Sequence, residues 1–165
     1  MSRTKSIVFP NTEGELSALF DKLQRAVLNK LIVSGALAIH GSASALAKTA
    51  STAYYMLDGF FYSKGAADMP ALVGTVTNAK FNIFAFSVNA AGTLKTYAGT
   101  QAATLAGVIP PTIADGEVCL GFIIVNPTGT GDFVGGTTAL DDATVVPGVV
   151  YVNSGEVLQA QFATL

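Results

Sequence analysis

The sequence lacks tryptophan, has one histidine and one cysteine, and only 12% of its 165 residues are charged. With Cys119 alone the chain cannot form an intrachain disulfide framework, and with His40 as its one histidine it cannot build a zinc site by itself. An ordinary soluble domain is about 25% charged, so 9 basic and 11 acidic side chains leave much of the surface to small and apolar residues. We therefore expect extensive surface to be covered by other subunits.

The few charges are unevenly distributed along the chain. Residues 1–30 carry five basic and three acidic groups, whereas no basic residue follows Lys95. This asymmetry is either drift in a short sequence or a sign that the basic end docks on an acidic surface. A net charge of −2 disfavours a nucleic-acid partner. The most apolar stretch, 26–39, is too short to span a membrane, and no apolar secretory segment follows Met1. We expect a protein made in the cytoplasm and not inserted in a membrane.

One amphipathic helix is predicted near the N-terminus, over residues 13–30. It begins at a capping box, in which the Thr12 hydroxyl and the Glu15 carboxylate each satisfy a free backbone N–H. Apolar residues then recur at helical spacing and form one stripe. The helix either packs on its own domain or pairs with copies of itself or with a partner's groove. The stripe consists of Leu16, Leu19, Phe20, Leu23, Val27 and Leu31.

After this helix the pattern changes to short apolar runs separated by Gly, Ser, Thr, Asn and Pro, which indicates strands joined by turns. The clearest signal is a pair of aromatic runs flanking Asp58-Gly59, a dipeptide that favours the positive φ angles of a type I′ turn. We predict a mainly β fold, an antiparallel β-sandwich or barrel with an N-terminal amphipathic helix. Residues 1–32 are the predicted N-terminal arm and helix, and residues 33–165 are the β-rich body. The predicted strands are 54–57, 60–62, 80–88, 93–97, 117–125 and 149–152.

The inventory of catalytic groups is poor. His40 follows an apolar run and is expected to be a surface or hydrogen-bonded histidine. Cys119 lies between valine and leucine and is expected to be a buried, inert thiol. The glycine-rich loop 129–136 lacks the Gly-Lys-[Ser/Thr] ending of a phosphate-binding loop. None of these features predicts chemistry.

The acidic residues form no regular ligand pattern either. Asp132, Asp141 and Asp142 are expected to be solvated loop acids, because they lack the spacing of a calcium-binding loop. A glycan hydrolase would need two facing carboxylates, for example Asp58 and Asp68, but no tryptophan is present to form a sugar platform. We predict no catalytic, cofactor-binding or metal-binding residues, and no enzyme activity.

Residues 109–125 read Ile-Pro-Pro-Thr-Ile-Ala-Asp-Gly-Glu-Val-Cys-Leu-Gly-Phe-Ile-Ile-Val, a proline-flanked turn and a small-Asp-Gly step that lead into a strand with Leu-Gly-aromatic. This pattern resembles a recurring one in tailed-bacteriophage virion proteins. Residues 132–141 and 150–153 are similar to the continuation of this pattern, and residues 54–64 to the aromatic hairpin that precedes it. The resemblance covers about residues 50–155 and includes no catalytic motif.

This resemblance implies a small phage structural protein, either a head decoration (cement) protein or the base of a head fibre. Such proteins commonly form trimers on the capsid lattice. The implied partners are therefore the major capsid protein and further copies of the chain, on the exterior of the virion. The alternative is a receptor- or glycan-binding fibre or tail module, which would expose aromatic residues such as Tyr54, Tyr62 or Tyr97 at its strand tips.

We expect the N-terminal arm to make intersubunit contacts, with two basic residues reaching an acidic capsid surface. A lattice component needs no active site, because repeated weak contacts on a symmetric shell reinforce one another through effective concentration. The predicted interface residues are Arg3, Lys5, Leu16, Leu19, Phe20, Leu23 and Val27.

Overall fold

From Lys30 to Ser154 the chain consists of short strands joined by turns and loops. The computed structural model describes residues 14, 17, 20 and 28–154. A short 3₁₀ turn, Leu105–Gly107, interrupts the loop that follows the eighth strand. The strands are β1 (Lys30–Val33), β2 (Leu37–Ile39), β3 (Ala47–Thr49), β4 (Ala53–Leu57), β5 (Phe60–Lys64), β6 (Thr75–Val76), β7 (Asn82–Asn89), β8 (Leu94–Ala98), β9 (Glu117–Val125), β10 (Phe133–Val134) and β11 (Val150–Asn153).

These strands pair into two larger sheets and two small ones. The three-stranded sheet has the order β1-β4-β5 and the four-stranded sheet the order β11-β9-β7-β8, while β2 pairs with β3 and β6 with β10. Every pairing is antiparallel. The predicted mainly β, antiparallel fold is therefore confirmed. Among the described strands no sheet closes on itself as a barrel would.

The predicted hairpin is confirmed together with its turn. β4 and β5 pair with Leu57 opposite Phe60, which leaves Asp58 and Gly59 as the two turn residues. Their φ angles are 51° and 84°, and two positive values are what a type I′ turn requires. Glycine reaches such angles without a steric penalty, and aspartate is among the residues that tolerate them best.

The strand predicted to be central is confirmed as well, since β9 lies between β7 and β11. Its register on β7 shifts where Phe86 faces Gly121 and Ser87 faces Cys119, so β9 carries one extra residue as a β-bulge. Gly121 has a φ of 150°. A Cβ at Gly121 would stand 2.4 Å from the Val152 carbonyl oxygen. Glycine is therefore what allows β11 to approach β9 this closely.

The hydrophobic core combines the inward side chains of the two larger sheets. β1 and β4 lie against β9, and side chains of both sheets belong to one buried cluster. Burial alternates along β4, because only one face of its sheet is covered. Burial is nearly continuous along β7, because this strand lies in the interior of its sheet. The largest fully buried side chains include Tyr55, Met69, Phe84, Phe86, Leu120, Ile123 and Phe133.

The range predicted to be an N-terminal helix, 13–30, lies mostly outside the described residues. Its predicted end is wrong, because β1 begins at Lys30. Leu31, which continued the helical apolar stripe, instead pairs with Tyr55 and is 5% exposed. Burial in the sheet decides its conformation, since strand pairing depends on the surroundings more than on local spacing. Across the described residues, no helix is long and apolar enough to cross a membrane.

Candidate interaction surface

The three-stranded sheet has one buried and one outward face. On β4, Tyr55 and Leu57 point into the core and are 1% and 3% exposed, whereas Tyr54 points outward and is 51% exposed. Strand alternation places Met56 on the same outward face as Tyr54. Phe61 pairs directly with Met56, so it shares that face, and it is 77% exposed.

The outward face continues onto β1 and around the hairpin tip. Val33 pairs with Tyr54 across a register irregularity in β1 that also includes Ile32. Both residues are large, apolar and exposed. Phe60 pairs with Leu57 and so lies on the other side of β5, but it sits at the tip beyond the core and stays 68% exposed. We call this group the outer patch; it consists of Ile32, Val33, Tyr54, Met56, Phe60 and Phe61.

The chain enters β1 beside the tip of this hairpin. The Asn29 side-chain oxygen accepts a hydrogen bond from the Asp58 backbone N–H at 2.7 Å. The Leu28 side chain lies against Gly59, with its Cδ2 atom 3.9 Å from the position that a Cβ would take there. These two contacts fix the end of the N-terminal segment at one end of the outer patch.

The residues predicted to form the interface are, with one exception, outside the described part of the chain. Phe20 is described, and 58% of it is exposed. The predicted role of the arm therefore stays a prediction, and Phe20 is the one member whose exposure the structure reports. The members outside the described residues are Arg3, Lys5, Leu16, Leu19, Leu23 and Val27.

A buried carboxylate joins three strands of the four-stranded sheet. Glu117, at the start of β9, has a side chain only 4% exposed. Its Oε2 atom accepts hydrogen bonds from the Ser87 hydroxyl at 2.5 Å and the Tyr97 hydroxyl at 2.8 Å. Its Oε1 atom accepts one from the Lys95 ammonium at 2.5 Å. We call these four residues the Glu117 cluster.

The protonation of the Glu117 cluster follows from these contacts. Burial by itself would raise the pKa of Glu117, but the hydrogen bonds from Lys95, Ser87 and Tyr97 outweigh burial and hold that pKa below its usual value. The hydrogen bond to Glu117 raises the pKa of Lys95. Burial, followed by Glu117, raises the pKa of Tyr97. Because Ser87 is fully buried, no substrate can reach its hydroxyl, and the cluster reads as a structural link between β7, β8 and β9.

His40 is hydrogen-bonded, as predicted. Its Nδ1 atom lies 2.6 Å from the Asp68 carboxylate, and both side chains are about half exposed. The pair borders an open groove of about 340 Å³ that also includes Lys48 and Thr49. The Thr49 hydroxyl is engaged with the Ala67 backbone and its residue is 1% exposed, so it is not placed to act as a nucleophile beside the histidine.

The remaining candidates hold loops and strand ends in place. The Cys119 thiol is half-buried and accepts a hydrogen bond from the Ser154 hydroxyl at 3.4 Å. Asp132 and Asp141 accept backbone N–H groups from distant segments. Asp142 binds both the hydroxyl and the backbone N–H of Thr144, and these bonds lower its pKa. The loop acids are thus tied into the fold and are more than solvated charges.

Of the tyrosines predicted at strand tips, only Tyr54 is free to contact a ligand through a broad exposed surface. Tyr62 stacks on Tyr55 with ring centroids 5.6 Å apart, and Tyr97 belongs to the Glu117 cluster. A different tyrosine, Tyr151, has a buried hydroxyl with no hydrogen-bond partner in the described part of the chain. Burial, followed by Asp141, raises the pKa of Tyr151 to about 12.

No protein-family model, curated protein or solved structure matches this chain. Within the described ranges, no group of three or more His, Cys, Asp or Glu side chains is placed to hold a metal ion. The feature with the largest unsatisfied driving force is the outer patch, because it leaves three aromatic residues in water at once.

Proposed function

We propose that the chain is a structural subunit of a tailed-bacteriophage virion, a head decoration protein that stabilises the capsid as a homotrimer. In this proposal it contacts the major capsid protein and its own copies on the capsid exterior, and it carries out no catalysis. The proposal combines the resemblance of residues 50–155 to phage virion proteins with the surface of the body. In this proposal the subunit is made in the host cytoplasm before it joins the shell.

The observation that carries the proposal is the outer patch. Soluble monomers rarely expose a contiguous apolar patch larger than a few hundred Å², and such patches mark interaction sites. Here Phe60 and Phe61 are each more than two-thirds exposed in a chain with few charges. A protein that functions as a monomer would keep this apolar surface in water, whereas a lattice subunit buries it on assembly.

The proposed architecture of the subunit has two parts. The two larger sheets would form an antiparallel β-sandwich, supported by the shared core and by the position of β1 and β4 against β9. The residues before Lys30 would form the amphipathic arm, which is shorter than the predicted range 1–32 because β1 begins at Lys30. The arm would leave the body at Leu28 and Asn29. The arm would contribute the predicted intersubunit contacts.

Such a subunit acts through binding energy alone. Each specific contact of standard size buries about 800 Å² per partner. Many copies on a symmetric shell gain effective concentration from one another, so modest contacts give a stable coat. The coat then lowers the free energy of the closed shell relative to its open or ruptured states, which resists pressure from the packaged genome.

The proposal is tested on particles of the phage whose genome encodes the chain. Antibodies raised against the purified chain are applied to intact virions and followed by electron microscopy with gold-labelled secondary antibodies. Label distributed over the head supports a decoration protein. Absence of label from virions that react with an antibody against the major capsid protein overturns the proposal.

A receptor- or glycan-binding fibre module is the second candidate, and one observation favours it. Tyr54 is half exposed beside Phe61, and exposed aromatic rings are common contacts in binding surfaces. This candidate predicts label on tail or head fibres instead of over the shell. It also predicts that the purified chain binds host cells, and that Tyr54→Ala abolishes this binding without unfolding the body.

A further inference from the structure

The size of the outer patch suits one protein interface. A buried aromatic side chain covers roughly 200 Å², so Tyr54 and Phe61, at 51% and 77% exposed, leave about 250 Å² open on the outward face. The exposed parts of Ile32 and Val33 bring this face to roughly 400 Å², and Phe60 adds to it only at the hairpin tip. A specific interface buries about 800 Å² per partner, of which about 56–65% is apolar, so the outward face supplies most of the apolar area that one interface needs.

The character of the patch limits what can cover it. The outward residues of β4 and β5 between the hairpin tip and the sheet end are Tyr54, Met56, Phe61 and Ser63, and none of them carries a charge. On β1, the exposed Lys30 pairs with Met56 and places one positive charge beside them. A partner surface made mainly of charged groups would lose hydration against the aromatic rings, where it gains no ion pair. The occupant must itself present an apolar group that is exposed before assembly.

The chain itself supplies such a group. Phe20 is 58% exposed, so in the single chain it is not seated on the patch, and the patch is not covered by it. A closed ring of identical subunits needs two different complementary surfaces on each chain, because every copy contacts one neighbour through the first surface and the other neighbour through the second. The outer patch and Phe20 are two such surfaces.

The reach of the chain fits a contact between copies. Leu28 and Asn29 hold the end of the N-terminal segment at the hairpin tip. The eight residues from Phe20 to Leu28 would span about 12 Å in the proposed helical arm, and at most about 27 Å if fully extended. Three strands of a sheet are only about 10 Å across. Phe20 therefore has enough chain to pass the edge of its own sheet and meet a neighbour.

We propose that the outer patch of one copy receives the Phe20 side chain of a second copy, and that this contact closes the assembly. The inference deepens the proposed function and rests on it, because it names the surface through which the decoration protein self-associates. Phe61 is the expected centre of the contact, since it is the most exposed residue of the patch and lies on its outward face.

The test compares assembly of four full-length variants by light scattering over a range of concentrations. Phe61→Lys and Phe20→Lys should each raise the midpoint concentration of assembly by about 30-fold, the effect of losing a strong hot spot. Val73→Lys is the matched control, because Val73 is 74% exposed but lies outside the patch, and it should leave the midpoint unchanged. The double variant Phe20→Lys/Phe61→Lys should assemble at the same midpoint concentration as the weaker-assembling single variant, because both substitutions remove the same contact.

Several results would overturn the inference. These are a wild-type chain that stays monomeric, a Val73→Lys variant that weakens assembly as much as Phe61→Lys, and fully additive effects of the two phenylalanine variants. Thermal melts of the variants show whether each one is folded. A Phe20→Lys variant with a lower Tm but an unchanged mass in solution would mean that Phe20 packs within its own chain.

Failure of this inference can be told apart from failure of the proposed function. If the Phe61→Lys variant still assembles but is no longer detected on phage heads, the patch binds the capsid protein. In that case the inference is wrong, and the proposed decoration role stands. If assembly follows the expected pattern but the chain is absent from virions, the self-association stands and the decoration role fails.

Discussion

Replacing Glu117 with glutamine should cost the body much of its stability while leaving its shape unchanged. The glutamine has nearly the same volume, but it turns one acceptor oxygen into a donor amide. That amide would face hydroxyl and ammonium groups which already donate to Glu117. At least one donor must then lose its acceptor. Ser87 is the most sensitive, because it is fully buried and has no access to water.

The expected magnitude follows from the burial of these groups. Hydrogen bonds to a charged group contribute about 1.5–3 kcal/mol each, and a buried donor left without an acceptor costs about 1–3 kcal/mol. Some rearrangement of the exposed Lys95 side chain reduces the total. We expect Glu117→Gln to lower the free energy of unfolding by about 2–3 kcal/mol. For a chain of this length that corresponds to a drop in Tm of about 5–10 °C.

The loss of stability caused by Glu117→Gln should depend on pH. Because the folded pKa of Glu117 lies below its usual value, the carboxylate stabilises the folded state fully above about pH 5, where it is ionised in both states. This contribution is lost as the pH falls through the folded pKa. The difference between wild type and Glu117→Gln should therefore be largest at neutral pH and shrink progressively in acid.

The assay is urea unfolding of both proteins at a series of pH values, followed by circular dichroism. Asp132→Asn is the control, since it removes one negative charge but keeps an oxygen that can accept the Asn78 N–H. It should change the free energy of unfolding by less than about 0.5 kcal/mol. A Glu117→Gln protein as stable as the control at neutral pH, or a difference that grows in acid, would refute the reasoning.

Three further substitutions test the contacts that hold the sheets together, each by urea unfolding. Gly121→Ala should cost about 3 kcal/mol or prevent folding, because its Cβ would meet the Val152 carbonyl; a neutral result contradicts the close approach. Asn153→Ala removes the acceptor of the Leu37 N–H at 2.8 Å and should cost about 1–3 kcal/mol; no loss would mean that water replaces it. Tyr55→Phe removes one buried hydroxyl bond and should cost about 1 kcal/mol; a larger loss points to repacking.

The sequence was most informative where local chemistry and tertiary structure agree. Asp58-Gly59 predicted its hairpin because a two-residue turn needs two positive φ angles whatever surrounds it. The strand from Glu117 was predicted because a long apolar run between turn signals is typical of a sheet interior. Both predictions depend on residues adjacent in sequence, and the fold has no alternative use for them.

Prediction failed where distant residues decide the outcome. Leu31 continued a helical spacing, yet it pairs with Tyr55 and belongs to the core. The short strand β3 consists of alanine, lysine and threonine, so it had no apolar pattern of its own. Glu117 was placed on the correct strand, but nothing local indicated that Ser87 and Tyr97 would converge on it from 20 to 30 residues away.

The alternation of β4 separates the proposed assembly surface from the core in a way that makes the two testable independently. Tyr55 and Tyr54 are neighbours in sequence, but one packs on Tyr62 inside the sheet and the other points outward. A charge on the outward face of an edge strand is well tolerated in a folded sheet. Phe61→Lys should therefore weaken association without disturbing the contacts that Tyr55 makes. If folding and association were always lost together, the outward face would have to be part of the core, and strand alternation would not describe this sheet.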